Sequence, residues 1–168
     1  SLAQISSSAL SLVPEISVSK KTLYLGYLDY QIGISQLKKQ ASVTYTSDHP
    51  AIAKVSKDGV VKAKGVGKTS IHVQVVQDNV IYQLKIDITV KEPYIKIVNQ
   101  DKKVSVGQSI DLQVKKYGTK SSVTWQVSDQ KIAVIDKNKV LIAKKRGTVT
   151  VTAKTKDGLK ARIKLTIN

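Results

Sequence analysis

The side chains in this chain whose type and spacing point most directly to chemistry are cations. Lys160, Arg162 and Lys164 alternate with Ala161, Ile163 and Leu165. A period of two puts the three charges on one outward face of an extended strand, with neighbours about 6 to 7 Å apart. Lys154 precedes the same turn and is expected beside them, and Lys144-Lys145-Arg146 forms a second cluster just before Gly147. Together these seven residues read as a basic stripe that attracts polyanions: anionic wall polymers, acidic glycans, DNA or anionic lipid surfaces. The competing reading is that Lys blunts strand edges and keeps a secreted protein soluble. Lys dominates over Arg, which weighs against specific nucleic-acid readout, since that favours bidentate guanidinium contacts. Attraction of this kind is diffuse and salt-sensitive, because charges are screened over about 8 Å at physiological salt.

Other chemistries find little material. His49 and His72 are the two histidines, and the sequence shows no fixed carboxylate partner for either, so a metal or acid–base role is not expected. Asp48, Asp58, Asp129, Asp136 and Asp157 fall one per turn, and Asp58, Asp136 and Asp157 stand beside Lys. Calcium wants six to eight oxygens from clustered carboxylates, and turn formation accounts for scattered aspartates better. The chain has no Cys, which excludes thiolate metal sites and Cys nucleophiles. There is no Gly-rich phosphate loop, no Ser nucleophile elbow and no recognisable carboxylate pair. The expectation is a non-enzyme without cofactor or metal.

The elements that must position the cations follow from a repeat. Residues 43 to 75 recur at 123 to 155 without a gap, at an offset of 80. Val43 matches Val123, Thr44 Thr124, Tyr45 Trp125, Ile52 Ile132, Ala53 Ala133, Val60 Val140, Ala63 Ala143 and Gly67 Gly147. A period this long is a whole domain, not a solenoid unit. The matched positions are apolar or turn-forming, so a core and its corners are what is repeated, while the polar positions mostly differ. The expected division is a tail or linker over 1–13, one domain over 14–92 and a second over 93–168. Charge is uneven across it. Residues 14–92 hold 11 Lys against 7 acids, a net of +4, and residues 93–168 hold 15 Lys and 2 Arg against 5 acids, a net of +12.

Apolar–polar alternation dominates both copies, as half-buried strands require. Ile71, Val73 and Val75 are placed on one face, answered by Leu84, Ile86, Ile88 and Val90, with Gln77-Asp78-Asn79 as the hairpin turn between them. In the second copy Thr148 to Lys154 and Leu159 to Ile167 pair about Lys156-Asp157-Gly158, and Ile110 to Val114 reads as one strand. Gly26 and Gly107 read as matching turns. His49-Pro50 and Asp129-Gln130-Lys131 read as short helical turns. Tyr45 and Trp125 read as one aromatic slot of the core, not a stacking platform. Seven or eight short strands per copy argue an all-β chain of two tandem immunoglobulin-like sandwiches, end to end. Pro93 stiffens a join with no Gly/Ser spacer. No 18-residue apolar run spans a membrane. Ser1 to Val13 lacks the basic start and apolar core of a signal peptide, and a piece of a longer protein is expected.

Val43-Thr44-Tyr45-Thr46-Ser47-Asp48, then Ile52-Ala53-Lys54-Val55, Asp58-Gly59-Val60-Val61-Lys62-Ala63 and Gly67-Lys68-Thr69-Ser70-Ile71 resemble the bacterial immunoglobulin-like group 2 family. The second copy keeps Val123-Thr124-Trp125, Ile132-Ala133-Val134-Ile135, Val140, Ala143 and Gly147-Thr148-Val149-Thr150-Val151, and departs at Gln130 for Pro50 and Lys139 for Gly59. The resemblance implies a module similar to those of intimin- and invasin-type surface proteins, acting as stalk or adhesive unit, with no activity to transfer. The expected location is the surface, wall or exterior of a bacterium. The expected role is a spacer that presents neighbouring domains. The alternative is a binding module whose basic second copy engages an anionic cell-wall polymer, or a host surface glycan or protein. Neither specific nucleic-acid binding nor membrane insertion is expected, and the isolated segment is expected to be a monomer.

Overall fold

The computed structural model describes residues 12–99 and 103–168. Most of the expected tail over 1–13 lies outside them. The chain divides into two compact units, with the division between Glu92 and Pro93. Among the described residues every regular element is a strand.

Unit 1 contains β1 (Glu15–Ile16), β2 (Lys20–Tyr24), β3 (Tyr30–Gln31), β4 (Ile34–Ser35), β5 (Ser42–Ser47), β6 (Ala53–Val55), β7 (Val60–Ala63), β8 (Gly67–Gln77) and β9 (Val80–Lys91). Unit 2 repeats the series as β10 (Tyr94–Ile97), β11 (Lys103–Val104), β12 (Ser109–Asp111), β13 (Val114–Tyr117), β14 (Val123–Val127), β15 (Ala133–Ile135), β16 (Val140–Ala143), β17 (Gly147–Thr155) and β18 (Lys160–Ile167). Each unit forms a four-stranded sheet, ordered β2-β9-β8-β5 and β11-β18-β17-β14. Opposite it lie a three-stranded sheet (β3-β7-β6; β12-β16-β15) and a two-stranded ribbon (β1-β4; β10-β13). Pairing is antiparallel except for β2 with β9 and β11 with β18, which run parallel.

Nine strands per unit exceed the seven or eight expected, for one reason. A single chain segment changes partner midway. Ile32 N–H still reaches Gly59 O (2.9 Å) on the three-stranded side, whereas Gly33 O already accepts from Ser17 on the ribbon (2.9 Å). Leu112 and Gln113 repeat this, bonding Lys139 and Val98 respectively. The expected single strand Ile110–Val114 is therefore two, β12 and β13, split at the crossing. Alternation of side chains continues through such a switch, so periodicity does not reveal it.

Alternation does place the cores. Ile71, Val73, Val75, Ile86, Ile88 and Val90 are buried in unit 1, as are Val149, Val151, Ala153, Leu165 and Ile167 in unit 2. Leu84, expected inward, packs against the core only partly buried. Tyr45 and Trp125 face inward from the outermost strands β5 and β14, so they pack on the core without being fully enclosed.

The corners match as well. Ile52 and Ala53 both donate to His49 O, and Ile132 and Ala133 both donate to Asp129 O, which makes the expected helical turns. Asp78 and Asn79 adopt φ of 53° and 62°, the left-handed pair of a two-residue hairpin between Gln77 and Val80. Gln130 and Lys139 leave the corner shapes unchanged. Lys139 takes φ 63° where Gly59 has 82°, and Asp136 Oδ1 braces that turn by accepting from Asn138 and Val140.

Candidate anion-binding face

Parity and register build an outer face on each four-stranded sheet. In unit 2 the column on β18 is Lys160, Arg162, Lys164 and Thr166. Across β17 these stand opposite Lys154, Thr152, Thr150 and Thr148. On the far side of β17, β14 adds Thr124 opposite Lys154 and Gln126 opposite Thr152. On the far side of β18, Lys103 stands beside Thr166. Lys154, Lys160, Arg162 and Lys164 are all exposed, and among the described residues no acid belongs to this face. Among the described residues none of the seven predicted cations is ion-paired.

The seven are not one stripe. Lys154, Lys160, Arg162 and Lys164 come together. Lys144, Lys145 and Arg146 sit in the loop before β17, at the opposite end of that strand from Lys154. Arg146 lies eight residues of extended chain, about 26 Å, from Lys154, but only four residues, about 13 Å, from Thr150 opposite Lys164. The loop is held in place by its backbone, with Lys144 and Lys145 N–H both donating to Ile132 O (2.8 and 3.1 Å). The Ile132 side chain closes on Gly147 (φ 148°), where a Cβ would meet its Cδ1 at 2.7 Å.

Unit 1 carries the same geometry with different chemistry. Its equivalents of Lys154–Lys160, Thr152–Arg162 and Thr150–Lys164 are Gln74–Gln83, His72–Lys85 and Ser70–Asp87. These are internally satisfied. Gln83 Nε2 donates to Gln74 Oε1 (2.9 Å), and Ser70 Oγ donates to Asp87 Oδ1 (2.8 Å). The Ser70 hydrogen bond, with help from Lys85, holds the Asp87 carboxyl below its ordinary range.

The histidines depart from the sequence expectation. His72 Nε2 lies 2.9 Å from Asp48 Oδ2, so it does have a carboxylate partner. The pair is about half exposed on both sides (47% and 49%). His49 turns instead to Thr69 Oγ1 (3.4 Å from Nδ1). No group of three metal-ligating side chains exists among the described residues.

The remaining polar clusters fasten loops. Gln77, 2% exposed, donates to the carbonyls of Leu12 (3.2 Å) and Gln36 (3.1 Å) and accepts from Lys38 N–H (2.7 Å). In unit 2 the same end is fastened by Asp157, which accepts from the buried hydroxyls of Thr119 (2.7 Å) and Thr155. Those bonds, Thr155 first, hold its carboxyl below the ordinary range. The sequence places both Gln77 and Asp157 in hairpin turns, whereas Gln77 ends β8, and nothing in the sequence singles out Thr119.

The model of the bacterial Ig-like domain (group 2) matches residues 13–82 and again 88–165. No curated protein matches the chain in sequence. Among solved structures, domains 4 and 5 of the S-layer protein SbsC align at 18% identity over 74% of this chain and 70% of that one, with a TM-score of 0.37. SbsC domains 4–9 align at 14% identity over 93% and 30%, TM-score 0.46. A C-terminal intimin fragment, solved in complex with the intimin-binding domain of its translocated receptor, aligns at 16% identity over 93% and 64%, TM-score 0.38. The chain thus spans less than two thirds of the intimin fragment and of the longer S-layer fragment.

Proposed function

The chain belongs to the bacterial Ig-like domain (group 2) family, and from that premise we propose that it is a non-catalytic spacer in a bacterial cell-surface or secreted protein. Its task is to present neighbouring domains away from the cell. The observation that carries this reading is the division of labour within the repeat. Residues shared by the two units are core and corners, while the outer-face pairs Ser70–Asp87 and Thr150–Lys164 occupy one place with opposite charge. Selection that keeps packing and lets surfaces drift is what a length-setting element needs. Only Glu92 and Pro93 separate β9 from β10, a join too short for a loose coil.

The test is replacement within the parent surface protein. Exchange of residues 14–168 for two unrelated β-sandwich domains should preserve presentation of the neighbouring domain, and deletion should abolish it. Loss of function after exchange, with normal surface display, would overturn the spacer reading.

A second reading is favoured by the exposed, unpaired cations of unit 2. In it the basic unit holds an anionic wall polymer or host glycan. Pull-down on purified walls across a salt series tests it, and absence of retention at low ionic strength would remove it.

A further inference from the structure

Resting on that second reading, we infer that the outer face of β17 and β18 binds one linear polyol-phosphate polymer, laid along β18 over Lys160, Arg162 and Lys164. Three observations carry this. Lys154 stands directly opposite Lys160, and like charges in that position destabilise a sheet. With no acid on the face among the described residues, a bound anion would relieve the repulsion. Unit 1 at the equivalent pair carries the neutral Gln74–Gln83 bond, so the fold itself does not demand the cations. Guarding an edge against aggregation needs one Lys, not four cations on one face.

The spacing names the ligand's repeat. Alternate residues of a strand are joined by six backbone bonds and lie about 6.6 to 7 Å apart. A phosphodiester polymer with a three-carbon polyol between phosphates also has six bonds per charge, and so nearly the same extended repeat. The Thr148, Thr150 and Thr152 column runs alongside at cross-strand distance, offering hydroxyl donors to phosphate and polyol oxygens. Single-stranded nucleic acid has the same six-bond repeat, but non-specific binders of it stack bases on aromatic rings. This face carries none: its outward residues are Lys, Arg, Thr, Ser and Gln.

The experiment is titration of the full chain with poly(glycerol phosphate), with oligo-dT and heparin as comparison probes, at several salt concentrations. The wild type should bind poly(glycerol phosphate) with a slope of log K on log salt near −2 to −3, the value for about three or four phosphates. Arg162→Glu with Lys164→Asp should weaken binding about tenfold or more at about 50 mM salt. Lys164→Asp installs the residue unit 1 already carries opposite a hydroxyl, and a thermal melt confirms that the variant folds. Lys144→Glu with Lys145→Glu should change affinity clearly less than the face variant does, since Lys145 lies five residues of extended chain, about 16 Å, from Thr150 opposite Lys164, beyond one screening length. If the loop variant loses as much as the face variant, binding is diffuse and the face assignment fails while the anion-binding reading survives. Equal or tighter binding of oligo-dT or heparin overturns the polyol-phosphate assignment. If no probe binds at low salt, both the inference and the reading beneath it fall.

Discussion

Tyr45 lies with its ring against Gly59, so closely that a Cβ on that glycine would stand 2.6 Å from Tyr45 Cζ. Gly59 also has φ 82°, in the left-handed region that disfavours a side chain. Gly59→Ala should therefore destabilise unit 1 by about 1 to 3 kcal/mol. Chemical denaturation followed by Tyr fluorescence measures it; an unchanged midpoint would show that the turn relaxes freely.

The converse applies at the matching turn. Lys139 holds φ 63° on the Asp136 brace. Lys139→Gly should stabilise unit 2 by roughly 0.5 to 1 kcal/mol, relief of backbone strain outweighing added freedom in the unfolded chain. Trp125, the chain's one tryptophan, reports unit 2 alone. A lowered midpoint would contradict the strain argument.

Gln77→Ala should cost unit 1 about 1 to 3 kcal/mol, because it removes three hydrogen bonds made by a buried side chain. Amide exchange at Lys38 should speed up in step. Destabilisation without faster exchange there would show that the cost came from packing and not from the three hydrogen bonds.

Asp157 predicts an acid limb. Its folded pKa lies below the ordinary Asp value of 3.8, so its contribution is fully present above the unfolded pKa and is lost as pH falls through the lowered folded value. The melting temperature of unit 2 should drop as pH is taken from about 5 downward. Asp157→Asn should start lower at neutral pH and show a shallower acid slope. An identical slope in the variant would assign the limb to other carboxylates.

What was legible in the sequence was whatever is local. Alternation sets which face of a strand Ile71 or Leu165 occupies, and Gly26, Gly107, Asp78 and Asn79 mark turns because few residues accept φ above zero. What pairs with what across strands is not local. The Asp48–His72 contact depends on β5 sliding to put Thr46 opposite His72, a register that no single strand encodes. The partner switch at Ile32–Gly33 is equally invisible to periodicity. The seven cations were found by type and parity, but their separation into two groups follows from the length of β17.

The parallel pairing of β2 with β9, and of β11 with β18, has a mechanical consequence. Within each unit an early strand and the last strand run side by side in the same direction. Tension entering at one chain end of a unit and leaving at the other slides such strands along their common axis. Lys20–Tyr24 on Asp87–Lys91 must then give up its ladder bonds together, whereas an antiparallel pair pulled from one end unzips bond by bond. A module joined in series inherits resistance to stretching from that one choice of strand direction.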